Sequence, residues 1–194
     1  MRGHARHLRS RWAPRDTGAM PSPAPANDPG DPLRHDGRER GAGPATAAAP
    51  APAPETAPTP APDDSCLCGS GQAFASCCRP ILAGDRHAPT AEALMRSRFS
   101  AFTLGDTAHL RRSWDATQRP SAAELEASDD DDLRWQKLRI LDVVAGGPGD
   151  AEGVVEFVAI ARGSAGKVRL HERSRFRRVE EAPGWVYVDG EIRG

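Results

Sequence analysis

Residues 88–102 read Ala88-Pro89-Thr90-Ala91-Glu92-Ala93-Leu94-Met95-Arg96-Ser97-Arg98-Phe99-Ser100-Ala101-Phe102. Thr90 is a good helix N-cap, and Glu92 in the first turn suits the positive end of the helix dipole. Ala91, Leu94, Met95, Phe99 and Phe102 then follow at helical spacing, so 90–104 is expected to be an amphipathic helix. Gly105 is placed to end it. A second short helix fits 106–114, with Asp106 as cap and Leu110 and Trp114 turned inward. A further turn or two fits 121–127.

From Leu133 onward the apolar period changes from helical to two. Residues 134–145, 153–162, 167–179 and 184–189 read as strands. The breaks between them hold Gly146-Gly147-Pro148-Gly149, Gly163 to Gly166, and Glu181 to Gly184. Helices first and closely spaced strands afterwards predict an α+β domain, its helices on one face of an antiparallel sheet.

Upstream of the helix lie all four cysteines of the chain, Cys66, Cys68, Cys77 and Cys78, within thirteen residues. Four thiols at this spacing can close a tetrahedral cage around one Zn²⁺, and Gly69 and Gly71 let the backbone turn between the pairs. So small a knuckle has little core of its own, so metal binding would supply most of its folding free energy. Disulfides and independent reactive thiols are the other readings. A disulfide framework belongs to short secreted chains, and Met1 to Met20 holds five arginines and no apolar signal core. In a reducing cytoplasm, thiols so placed serve as metal ligands.

Residues 1–64 lack apolar periodicity and include an Ala/Pro tract centred on Pro50-Ala51-Pro52-Ala53-Pro54. Such a segment cannot bury enough apolar surface to order itself, so a disordered tail is expected there. Arg2, Arg6, Arg9, Arg11 and Arg15 carry no acid among them, and the tail is read as unstructured. The expected organisation is therefore a tail over 1–64, a zinc knuckle over 65–79 and the α+β domain over 80–194, with 80–88 as connector. Asp129–Asp132 is read as a solvated acidic loop.

Across 194 residues, 26 basic groups face 27 acidic ones, so no global field favours nucleic acid or an anionic membrane. The apolar runs fall short of the ~20 residues that a membrane-spanning helix needs.

The cysteine string Cys66-Leu67-Cys68-Gly69-Ser70-Gly71, with Phe74 and Cys77-Cys78, resembles the SEC-C motif, the zinc knuckle at the C-terminus of SecA. The helix string over 88–102 is similar to the signature of the YchJ family. Trp114, Val155–Ala159, His171–Phe176 and Trp185–Gly190 agree with it. The resemblance covers roughly 65 to 190. It implies a nuclear transport factor 2-like (NTF2-like) cone preceded by a knuckle in which Cys66, Cys68, Cys77 and Cys78 hold zinc. It brings no established activity. The knuckle's Gln72-Ala73-Phe74-Ala75-Ser76 lacks the lysines usual in SEC-C motifs, which argues against docking on SecB as SecA does. Where the family often has Trp-His-Pro, this chain has Trp114-Asp115-Ala116.

Cones of this kind can hold a pocket. Its expected polar liners are Arg98, Glu156, Glu172 and Ser174, with Trp114, Trp135 and Tyr187 as walls. Glu172 between Leu170 and Phe176 would be buried, as a general acid or base or, the favoured reading, in an ion pair with Arg98 tying helix to sheet. His171, Arg173, Arg175 and Arg177 share the opposite face, read as solvated and balanced by acids on neighbouring strands. His109 is expected to be exposed; Trp135 and Trp185 are expected in the core.

No nucleophile–base pair stands at persuasive spacing, and a closed Cys₄ site offers no open coordination position. The sequence thus favours a cytoplasmic, zinc-stabilised adaptor for a protein or ribosome partner. The alternative is a ligand-binding or enzymatic cone with the knuckle as a structural staple.

Overall fold

The computed structural model describes residues 58–127, 133–181 and 184–193. The arginine-bearing N-terminus, the Ala/Pro tract and Asp129–Asp132 lie outside them. The described residues belong to one compact unit.

A 3-10 turn at Phe74–Ser76 leads into helix α1 (Arg79–Ala83). Helices α2 (Ala91–Leu104), α3 (Thr107–Arg112) and α4 (Ala122–Ala127) follow. Strands β1 (Arg134–Ala145), β2 (Glu152–Gly163), β3 (Gly166–Arg178) and β4 (Trp185–Ile192) complete the chain. The strands form one antiparallel meander in the order β1-β2-β3-β4.

Helix α1 falls in the stretch expected as a connector. Pro80 in its first turn suits a helix start, and Gly84 closes it with a left-handed φ of 83°. Five residues are too few for a 3.6-residue period to show.

Helix α2 begins where its cap predicts, the Thr90 hydroxyl accepting from the Ala93 amide at 3.0 Å. It is not amphipathic in the expected sense. Ser97, Arg98 and Ser100 are buried together with Ala91, Leu94, Met95, Phe99 and Ala101. The helix packs on all four strands and meets α1 and α3 as well, so little of its circumference reaches water.

The sheet faces α2 with Val155, Phe157, Ala159 and Ala161 of β2, and with Leu170, Glu172, Ser174 and Phe176 of β3, all buried. Trp135 and Trp185 join this core, as expected. Where the β1–β2 hairpin meets the start of α2, Ala91 donates its amide to the Gly146 carbonyl at 2.9 Å. A Cβ on Gly146 would stand 2.7 Å from the Ala91 Cβ, and Gly146 has a φ of +80°. Only glycine satisfies both demands.

The β4 edge is partly closed by the segment after α3. Trp114 bridges Tyr187 in parallel, Tyr187 donates its amide to the Ser113 carbonyl, and Asp115 donates its own to the Tyr187 carbonyl, each at 2.8 Å.

Candidate metal centre and the enclosed polar core

The cysteine knuckle starts before the boundary drawn from composition. Phe74 donates its amide to the Asp64 carbonyl at 2.8 Å, and Ala75 donates to Pro62 at 3.0 Å. Ser65 and Ala73 form a bridge, and Gly69 and Gly71 turn the chain between them at φ 71° and 78°. The turn returns Cys77 and Cys78 beside Cys66 and Cys68.

All four sulfurs lie within 4.8 Å of one another, with Cys68 to Cys77 at 3.7 Å and Cys77 to Cys78 at 3.9 Å. Every cysteine is free. A disulfide needs sulfurs about 2.05 Å apart. The edge of a tetrahedral thiolate cage with Zn–S near 2.3 Å is about 3.8 Å. The four sulfurs therefore have the spacing of metal ligands. Crowding prevents them from ionising together. The Cys68 thiolate is drawn far down by hydrogen bonds from Cys66 and Cys78, and burial pushes Cys77 up to about 11. A cation at the centre would remove that conflict.

Backbone carbonyls of the cysteine loops are gripped by two arginines. Arg96 of α2 donates to the Cys68 carbonyl at 3.1 Å, and Arg86 reaches the carbonyls of Ser76 and Cys77 at 3.1 and 3.0 Å. Phe74 and Ile81 belong to the same buried cluster as Leu94, Met95 and Phe99. The knuckle is thus part of the core of the domain, where its small size predicted a module apart.

Of the seven expected pocket residues, five converge between α2 and the sheet. Arg98, Trp114, Glu172, Ser174 and Tyr187 are each completely buried. Glu172 Oε1 accepts from Ser174 at 2.6 Å and from the Tyr187 hydroxyl at 3.0 Å. The Arg98 guanidinium carbon stands 4.9 Å from the Trp114 ring centroid and 4.7 Å from that of Tyr187. Its Nη1 donates to the Leu110 carbonyl at 3.0 Å and to the Ser113 hydroxyl at 2.8 Å. The expected Arg98–Glu172 ion pair is absent, because Arg98 turns to the end of α3 and Glu172 turns to its own sheet. Burial lowers Arg98 to about 10 and raises both Glu172 and Tyr187.

Trp135 packs instead against Phe99 and Phe102, both at ring separations of 6.4 Å. Glu156 is on the other face of the sheet, since its β2 neighbours Val155 and Phe157 take the inner one. There it binds His171 at 2.7 Å and Arg173 at 3.0 Å, and those bonds hold its carboxyl below the usual range. Two further arginines of β3 on this face also have acids, Arg175 with Asp189 and Arg177 with Asp115.

His109 is buried, contrary to its expected exposure. Its Nε2 lies 2.9 Å from the Ser97 hydroxyl, and burial lowers it to about 3. One turn of α3 brings it under α2, which a six-residue helix does not reveal by periodicity. Ser97, Ser113 and Asp115 also escaped the sequence reading, because polar residues show their partners only in three dimensions. An open groove of ≈ 890 Å³ lies away from this cluster, lined by His87, Pro89, Asp150, Arg178 and Glu181 among others.

Helices on one face of a four-stranded antiparallel sheet, entered through a four-cysteine knuckle, define an NTF2-like domain with a SEC-C motif. The family model "YchJ, middle NTF2-like domain" matches residues 90–190. A UPF0225 protein of Corynebacterium efficiens is 45% identical over 130 residues, covering 67% of this chain and 95% of that protein. A UPF0225 protein of Streptomyces coelicolor is 45% identical over 127 residues, 66% of this chain and 94% of its own. The solution structure of a SEC-C motif containing protein from Rhodopseudomonas palustris aligns with a TM-score of 0.58 at 32% identity, over 68% of this chain and all of that one. The chain belongs to the YchJ family.

Proposed function

We propose that this chain is a zinc-binding interaction protein without catalytic activity, in which the metal fastens the knuckle to the NTF2-like domain. The observation carrying this reading is the enclosure of the polar core. Arg98, Trp114, Glu172 and Tyr187 have no exposed surface, so none of these groups is presented to a substrate. Four thiolates would complete the coordination of Zn²⁺, leaving it a structural ion. Partner binding then falls to the exterior, for a protein or a ribosome in the cytoplasm. SecB docking and specific nucleic-acid binding find little support, since the knuckle lacks lysines and Arg173, Arg175 and Arg177 of the outer face are paired with acids. No helix among the described residues is long and apolar enough to cross a membrane.

The test has two parts. Elemental analysis of purified protein should find one zinc per chain. Cross-linking in cells followed by mass spectrometry should place partner cross-links on the knuckle and outer sheet face. Zinc well below one equivalent overturns the metal assignment. Cross-links confined to nothing but the chain itself overturn the adaptor.

A ligand-binding domain is the second reading, favoured by one observation. Arg98 Nε and Nη2, Glu172 Oε2 and Trp114 Nε1 are buried without hydrogen-bond partners. Such orphans are costly, and a small polar molecule inserted among them would satisfy several at once. Native mass spectrometry should then show a bound species that Glu172→Gln loses; its absence in wild type overturns this reading.

A further inference from the structure

The sheet has two edges, and they are treated differently. Residues 113–115 strap part of β4. Along 137–144 of β1, no backbone hydrogen bond from a described residue reaches the free side, and the knuckle comes beside this edge at its start, where a Cβ on Gly69 would lie 3.5 Å from the Leu138 carbonyl. Among the described residues, the large apolar side chains that are exposed, Leu141, Val143 and Val144, all fall in this segment, at 43%, 39% and 47% exposure. An apolar edge without backbone pairing is a template for another strand, and proteins ordinarily blunt it.

The second of two irregularities in β1 says which strand fits. Ile140 pairs with Phe157 and Asp142 with Glu156, so Leu141 is an extra residue on β1. One inserted residue shifts the alternation of faces. Arg139, opposite Val158, and Asp142, opposite Glu156, consequently lie on the same outer face. Leu138, opposite Ala159, and Val143, opposite Val155, share the inner face. Arg139 is exposed and has no ion-pair partner among the described residues. Asp142 is 54% exposed in its side chain and meets Arg173 at 3.3 Å.

We propose that β1 pairs with β1 of a second copy, antiparallel, about a two-fold axis between Ile140 and Leu141. In that register Arg139 of each copy stands opposite Asp142 of the other, and Leu138 stands opposite Val143. Every such pair keeps its side chains on one face of a continuous eight-stranded sheet. Without the extra residue, Arg139 and Asp142 would fall on opposite faces and could not meet across the axis. The pairing is isologous, so one surface supplies both halves of the charge complementarity. This inference is independent of the zinc and adaptor readings.

Sedimentation of the full chain over a concentration series tests it. Wild type should show reversible monomer–dimer exchange. Arg139→Asp opposes two carboxylates twice, and Asp142→Arg opposes two cations twice, so each should weaken the dimer by at least about tenfold. In an equal mixture, the first variant brings a carboxylate at both positions and the second a guanidinium at both. Each contact across the axis is then between opposite charges, and dimerisation should return. The pair Leu141→Lys and Val144→Lys should abolish association without changing the thermal unfolding transition. A wild type that stays monomeric throughout overturns the proposal. Association that is indifferent to the single reversals, or not restored by mixing, overturns it equally.

Discussion

Tyr187 stands between Arg98 and Glu172: its ring centroid lies 4.7 Å from the guanidinium carbon, and its hydroxyl donates to Glu172 at 3.0 Å. Two buried charges from helix and sheet are thereby linked through a neutral ring, with no direct ion pair. The aromatic face offsets part of the desolvation of Arg98, and the hydroxyl offsets part of that of Glu172.

Arg98 should be a structural keystone. Arg98→Ala removes its bonds to Leu110 and Ser113 and leaves a void between Trp114 and Tyr187, so a loss of about 3–5 kcal/mol is expected. Arg98→Met fills the space without a buried charge and should lose much less. Urea unfolding measures both, and an alanine variant as stable as wild type would contradict the packing described.

Glu172 should make stability depend on pH. Burial raises its pKa above the ordinary 4.5, so the folded chain holds this proton more tightly than the unfolded chain does. Its contribution is fully present below the unfolded value and is lost as pH rises through the folded one. Glu172→Gln should flatten that decline and match or exceed wild-type stability at neutral pH. Unfolding free energies taken from acid to neutral pH decide the point; a difference between the two proteins that is constant with pH would exclude the role.

Gly190 should tolerate no side chain. A Cβ there would lie 1.9 Å from Glu172 Oε1, closer than any real contact. Gly190→Ala should cost about 1–3 kcal/mol through overpacking. Pairing it with Glu172→Ala opens the space, so the double variant should be more stable than the two single losses predict by addition. Strict additivity in calorimetry would refute the clash.

The knuckle should melt together with the rest of the domain. Cys77→Ser leaves three thiolates, and Phe74 and Ile81 sit in the core shared with α2. The transition followed at Trp114, Trp135 and Trp185 should fall by about 5–15 °C, and a strong chelator should reproduce the shift in wild type. Phe74→Ala, which keeps all four thiols, should cost about 3–5 kcal/mol. An unchanged transition in both variants would make the knuckle an independent module.

Local chemistry carried much of this architecture. Thr90 and Gly105 mark the ends of α2, and the change of apolar period at Leu133 with its glycine-rich breaks marks the four strands within a residue or two, except at the end of β4. The four cysteines pointed to a metal site because all the thiols of the sequence fall within thirteen residues. Period two on β3 placed Glu172 and Ser174 on the buried face, since a strand alternates whatever surrounds it. Contacts between distant segments were decided only by the tertiary fold. Arg98 chose the end of α3 over Glu172, and His109 turned in to Ser97. Glu156 paired outward with His171 and Arg173. The knuckle joined the core through Phe74 and Ile81. A polar side chain's partner depends on which elements are brought beside it, and spacing along one element carries no record of that.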